Sequence, residues 1–261
     1  MDGLRMFNVG LQDKERIVYA VEASRLMERK AMDELLQAYT PLMKALVPVA
    51  AGTYFCTQLA GFCLALQYSL SCLGKSFDSS LDNITVQLYA QDDKYGVAFK
   101  LTRSGGTFAP ADPAVRETWL YEKLASLYGE TIRPLYESVA ASVNVDAGQM
   151  WGVLPTRFNY STEQWLLAAQ SEREKENISG DYALLRSMPA DVFGRNKSPF
   201  DVKIRWIEDL KDPCKQMRMK NVCCQYYQTE GGYYCFTCPR LKESEREERR
   251  KQARLAAAAA T

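Results

Sequence analysis

The stretch ALVPVAAGTYFCTQLAGFCLALQYSLSCLG, Ala45 to Gly74, holds thirty consecutive residues without a formal charge. A run of that length is sufficient to span a bilayer. Pro48, Gly52, Gln58, Gln67, Ser69 and Ser71 interrupt it, and polar side chains at mid-span are costly in lipid. The favoured reading is a helix near Thr53 to Leu73 buried in a globular core. Cys56, Cys63 and Cys72 lie on it. Free cysteine behaves as a small buried hydrophobe, so these three are assigned to packing and not to a metal.

Working outward toward the N-terminus, Ile17, Val18, Val21, Leu26, Met32, Leu35, Leu36, Leu42 and Met43 recur at spacings of three and four. That period predicts helix from Asp13 to about Leu46, with Pro41 at a break. On the other side the period changes to two. Ile84, Val86, Leu88 and Ala90 alternate with polar residues, Gln91 to Lys94 turn the chain, and Val97, Phe99 and Leu101 alternate again, which predicts a hairpin with one buried face. Arg103 to Pro113 reads as a loop. Its Ser104-Gly105-Gly106 belongs to neither a Walker pattern nor a dinucleotide fingerprint, so it is a turn, not a phosphate cradle.

Helices are predicted over Pro113 to Tyr128 and Thr131 to Val143. A linker follows from Asn144 to Pro155, then a short helix beginning at Trp165-Leu166-Leu167, a solvated helix end over Ser171 to Asn177, and a short strand at Val202, Ile204 and Trp206. Past Lys242 mixed charge and alanine favour a helix, but one with almost no apolar face, read as an exposed tail. The fold class expected is α+β: one mostly helical domain with a small antiparallel sheet and a C-terminal cysteine-rich, cluster-binding loop. Residues 1–210 form the scaffold, 211–242 the cysteine segment and 243–261 the tail.

That segment reads CCQYYQTEGGYYCFTCPRLK, Cys223 to Lys242, and places Cys223, Cys224, Cys235 and Cys238 within sixteen positions. Soft sulfur ligands select zinc, copper(I) or iron–sulfur clusters. Gly231-Gly232 supplies backbone freedom for the loop to fold back. Adjacent side chains in extended chain point to opposite faces, so the vicinal pair fits a binuclear cluster more easily than one tetrahedral zinc. Disulfides and buried free thiols are the other readings.

The 261 residues carry 33 Lys and Arg against 32 acidic side chains, so no global field draws the chain to nucleic acid. Histidine is absent, which removes His-ligated haem, Rieske clusters, Cys/His zinc fingers and Ser–His or Cys–His catalysis. The opening MDGLRMFNVGLQDKER lacks an apolar signal core, and eight cysteines without such an address point to a reducing compartment, the cytoplasm.

The spacing CCx10CxxC followed by a short basic segment resembles the ferric-siderophore reductases of the FhuF type. Tyr226 and Tyr227 echo residues that follow the vicinal pair in that family, and the order of helices, apolar stretch, small sheet and Trp-containing segment from Met150 to Leu167 is similar in layout. The resemblance implies a [2Fe-2S] cluster held by Cys223, Cys224, Cys235 and Cys238, in an oxidoreductase that reduces chelated ferric iron and so frees it from the siderophore. The chain carries no nicotinamide or flavin fingerprint, so a ferredoxin or flavoprotein donor is implied. Lys211, Lys215, Arg218, Lys220, Arg240 and Lys242 flank the ligands, and positive charge raises a cluster's potential or attracts an anionic chelate. Lys215, Arg218, Lys220 and Arg240 are the expected substrate contacts. Cys214 stays outside the ligand set. A transmembrane span is not expected, although a place at the membrane periphery stays open. The competing readings are a structural zinc-binding module and a membrane-associated electron carrier.

Overall fold

The uncharged run forms one helix of 24 residues, Pro48–Ser71, in a computed structural model that describes residues 2–91 and 94–259. In chain order the elements are β1 (Val9–Gly10), β2 (Ile17–Glu22), α1 (Arg29–Leu42), α2 (Pro48–Ser71), β3 (Ile84–Gln91), β4 (Lys94–Leu101) and α3 (Pro113–Ser126). They continue as α4 (Arg133–Val143), α5 (Ala147–Trp151), α6 (Leu154–Ala168), α7 (Glu172–Ser187), β5 (Trp206–Glu208), β6 (Gln216–Arg218) and α8 (Glu243–Ala259). The class is α+β, with a four-stranded and a two-stranded sheet.

Helix α2 has the length and hydropathy of a membrane span, yet 78% of its most apolar window is buried inside the fold. Phe55, Cys56, Phe62, Cys63 and Leu70 are all sealed from solvent, and each large side chain so buried contributes about 2 kcal/mol. Gly52 marks a close helix crossing. A Cβ there would stand 3.0 Å from Val143 Cγ1 and 3.1 Å from Val139 Cγ1, so α4 lies directly on α2, and Tyr136 of α4 donates its hydroxyl to the Cys56 carbonyl at 3.2 Å. Cys72 caps the C-terminal end of α2 and is only half-buried.

The expected hairpin is β3 and β4, in register from Ile84 opposite Leu101 to Gln91 opposite Lys94; Asp92 and Asp93 of the expected turn lie outside the described residues. Two expectations are corrected in this sheet. Residues 17–22 are not helical: β2 pairs antiparallel with β3, a 3-10 turn over Ala23–Met27 follows, and α1 begins only at Arg29. The run Ile17-Val18-Tyr19-Ala20-Val21 is rich in β-branched and aromatic side chains that suit a pleated surface, and the edge of the sheet was open to take it. The sheet is also mixed and not wholly antiparallel, because β1 runs parallel to β4 with Val9 opposite Phe99.

The helices expected on either side of Gly129 run on as one through a π-helical turn, Leu127–Ile132. Pro134 has no amide to donate and its ring crowds the carbonyl four residues back, so widening the turn keeps the helix unbroken. Within the expected linker, Asp146 caps α5 by accepting from Gly148 N at 2.7 Å. Helix α6 starts at Leu154 with Pro155 in its first turn, so Trp165, Leu166 and Leu167 close this helix instead of opening one. The Ser171–Asn177 stretch is the first half of α7, capped by Ser171 Oγ accepting from Glu174 N. Of the expected strand only Trp206 is in one, opening β5 and paired with β6 opposite Arg218, while Val202 and Ile204 lie in irregular chain.

Candidate metal centre

The segment from Asn221 to Lys242 has little regular structure beyond a 3-10 turn at Tyr226–Gln228, so its shape is set by what grips it. The α1–α2 junction supplies one hold: Leu46 N donates to Gln228 O and Glu230 N to Lys44 O, both at 2.9 Å. The α5–α6 corner supplies another. Gln149 Nε2 donates to the Cys223 carbonyl at 2.8 Å, Asn221 N donates to Thr156 Oγ1 at 3.1 Å, and Thr156 returns its hydroxyl proton to Asn221 Oδ1 at 3.0 Å. Of the two glycines expected to free the backbone, Gly231 has φ +68°, and a Cβ on Gly232 would fall 1.9 Å from the Tyr226 carbonyl. The reversal between the two cysteine pairs therefore requires both.

Helix α8 supplies the third hold, and here the expected exposed tail is corrected. Arg246 is 2% exposed. Its guanidinium donates to the carbonyls of Phe236 (3.1 Å), Cys238 (3.0 Å) and Leu241 (3.3 Å) and pairs with Glu243. Arg249 donates to Tyr234 O at 2.6 Å, Arg250 reaches Glu243 at 2.9 Å, and Arg254 reaches Glu208 and the Asp209 carbonyl. Arg246 and Arg250 also lie over the Phe236 ring. The face that holds α8 is a stripe of arginines, which is why no apolar periodicity signals it.

The four sulfurs come together as two pairs. Cys224 Sγ and Cys235 Sγ stand 3.8 Å apart, the separation that a tetrahedral metal with metal–sulfur bonds of about 2.3 Å imposes on two of its ligands. Cys223 and Cys238 form the second pair, packed together in one buried cluster with Leu241. The pairs differ in exposure: Cys223 and Cys238 are buried, with Leu241, Tyr227 and Tyr234 packed on them, whereas Cys224 and Cys235 are half-buried. Tyr227 and Tyr234 stack at 4.4 Å between centroids.

Each pair also has its own donors. Backbone amides serve the inner sulfurs, Gln225 N to Cys223 Sγ and Arg240 N to Cys238 Sγ, both at 3.4 Å. An ammonium serves the outer ones, Lys220 Nζ standing 3.3 Å from Cys235 Sγ and 3.6 Å from Cys224 Sγ. The Cys235 thiol hydrogen bond and, against burial, the Lys220 charge pull the Cys224 thiol down to about 5. Its partner Cys235 moves up, chiefly because it gives that proton and because it is buried. Burial pushes Cys223 up to about 11. Burial works against the Lys220 ammonium, but the charges and hydrogen bonds of Cys224 and Cys235 outweigh it and raise its pKa.

Among the described residues no three Cys, Asp or Glu side chains converge on a single point as ligands of one ion. Two sulfur pairs, each served by its own N–H donors, match instead the donor set of a binuclear centre with two thiolates per metal. The [2Fe-2S] assignment to Cys223, Cys224, Cys235 and Cys238 thus fits the chemistry of the residues present.

Of the four basic residues expected to contact substrate, two reach the centre. Lys220 sits on the outer sulfurs, and Arg240 stacks on Tyr227 while donating to its hydroxyl at 2.8 Å. The other two are engaged elsewhere: Arg218 forms a bidentate pair with Glu163 and lies over Trp206, and Lys215 pairs with Asp212. Cys214 is exposed and apart from the four. Gln149, Thr156, Arg246 and Arg249 shape the site without any advance signal except one: Arg246, Arg249, Arg250 and Ala253 share a helix face at three- and four-residue spacing. No family model matches the chain, and no curated protein matches it as a relative.

Proposed function

We propose that this protein is a ferric-siderophore reductase carrying a [2Fe-2S] cluster on Cys223, Cys224, Cys235 and Cys238. The observation that supports it most is the division of four sulfurs into two pairs, with the outer pair at a one-metal separation beneath an ammonium. When bound, the cluster supplies a one-electron carrier. The protein's own groups do the rest. Tyr227 and Tyr234 keep water from the inner sulfurs, and the amides of Gln225 and Arg240 stabilise their negative charge. Lys220 does the same for the outer pair.

The substrate is ferric iron held by hard anionic oxygens. One electron converts it to ferrous iron, which those oxygens hold far less tightly, so the chelate opens without an acid, base or nucleophile from the protein. The absence of histidine from the whole sequence is consistent with chemistry of this kind. A ferredoxin or flavoprotein is the proposed donor, and the cytoplasm the proposed location.

The test is a visible and EPR spectrum of protein purified without oxygen, before and after dithionite. A coloured protein that bleaches and shows a one-electron paramagnetic signal is expected, with the signal lost in Cys224→Ser. A colourless protein with stoichiometric zinc, even after reconstitution with iron and sulfide, overturns the reading.

A further inference from the structure

A groove of about 710 Å³ opens beside the outer sulfur pair, with Tyr226, Tyr233, Cys235, Phe236, Arg249 and Gln252 among its walls. Its volume is that of a small-molecule site. Cys235 is the only one of the four ligand cysteines that lines it, so a guest in the groove lies against a ligand residue of the centre.

The walls define what the groove can take. Tyr226 and Tyr233 meet edge to face at 5.3 Å and 83°, and Tyr233 leaves 59% of its surface to solvent. Phe236 is backed by the guanidinium groups of Arg246 and Arg250. Together these rings offer flat apolar surface. Arg249 is fixed by donating Nη1 to the Tyr234 carbonyl at 2.6 Å, which leaves its other N–H groups for acceptor oxygens. No carboxylate lines the groove, so its only formal charge besides the sulfur is positive.

We propose that this groove seats the electron acceptor, an anionic ferric chelate with planar, oxygen-bearing arms, against Cys235 Sγ. The proposal rests on the reductase reading and adds the docking place and the charge class of the substrate. A cluster held by the four cysteines would supply the one electron that turns the ferric ion ferrous, and the donor protein would restore that electron. Flat arms lie along Tyr233 and Phe236 while Arg249 meets the ligand oxygens. A concave site of this volume suits a small chelate better than the broad surface of a donor protein.

Gallium(III) tris-catecholate, which matches the ferric chelate in charge and shape but accepts no electron, is the probe. Its binding to the intact, cluster-loaded protein is followed by calorimetry. Gln252 is exposed, and its side chain donates only to Glu248 on the same helix, so changes there leave the fold and the cluster spectrum intact. Gln252→Glu is expected to weaken binding at least tenfold, Gln252→Lys to strengthen it, and Tyr233→Ser to weaken it. Unchanged affinity in all three overturns the groove assignment, even if the wild-type protein binds and reduces ferric chelates. A loaded wild-type protein that binds no gallium chelate overturns the groove assignment, and one that also fails to reduce ferric chelates overturns the reductase reading as well. Binding of an acidic ferredoxin that is weakened by Gln252→Glu and Tyr233→Ser, in a wild-type protein that binds no gallium chelate, makes the donor protein the occupant and overturns the choice made here.

Discussion

Lys220 occupies a position that the linear order of the chain does not announce. It lies three residues before Cys223, the first of the four ligand cysteines, yet its ammonium reaches over the loop to Cys224 and Cys235 and leaves Cys223 and Cys238 to backbone donors. A positive charge there favours the more negative, reduced state of whatever metal those sulfurs hold. Lys220→Met is therefore expected to lower the midpoint potential of the centre, and Lys220→Arg to restore most of it. The expected size is about tenfold or more in the ratio of reduced to oxidised protein at fixed ambient potential, which is about 59 mV for one electron. Potentiometric titration followed by EPR checks it; an unshifted potential in Lys220→Met shows that the ammonium serves only to pack the loop. Cys56 and Cys63 are the contrast. Burial drives both thiols far above the ordinary thiol range, which keeps them protonated and inert, whereas Cys224 is held near 5 and is a thiolate at neutral pH.

At the scale of elements, two polar clusters do work usually assigned to apolar packing. The first ties α2, α3 and α7 together: Asp181, 2% exposed, accepts from Arg116 Nη1 and Nη2 at 2.7 and 2.8 Å and from Ser71 Oγ at 2.7 Å. Asp181→Ala leaves a half-buried guanidinium and a buried hydroxyl without their acceptor, and a loss of about 3–5 kcal/mol is expected by denaturant titration. A loss below about 1 kcal/mol would mean that water replaces the carboxylate. The second is the arginine stripe of α8. Arg246→Ala strands the carbonyls of Phe236 and Leu241 and leaves the Cys238 carbonyl with the Leu241 amide alone, and is expected to cost on the order of 3 kcal/mol and to speed loss of the cluster to a chelator. Retention at the wild-type rate shows that α8 does not brace the ligands. The π-helical turn at Leu127–Ile132 belongs to the same scale, since it lets one helix run past Pro134 with Leu127 and Ile132 both fully buried.

Across the whole molecule, what could be read in advance divides along a physical line. The buried helix, the hairpin and the helices flanking Gly129 are driven by apolar period, and period is written in the sequence. Strand β2 is ambiguous in sequence because Ile17, Val18 and Val21 satisfy a helical spacing as well as a strand's, and only a free sheet edge, a non-local fact, selects between them. The four cysteines were legible as a set. Their division into an inner and an outer pair was not, because it depends on Gly232 pressed against Tyr226 O and on two distant elements gripping the loop. The α8 clamp shows in sequence only as an arginine face at three- and four-residue spacing, and its target is illegible: its contacts run from guanidinium groups to carbonyls, and a carbonyl acceptor exists at every residue.

That clamp separates the molecule into parts that answer differently to temperature. The body is held by apolar burial around α2, whose unfolding exposes hydrocarbon to water and so bends its stability curve through a large heat-capacity change. Helix α8 buries Arg246 and Arg250, whose hydrocarbon stems and polar heads carry heat-capacity changes of opposite sign that largely offset. Its release from the cysteine segment thus has a nearly straight temperature dependence, so cooling, which weakens the apolar body, leaves the grip on the sulfur loop intact.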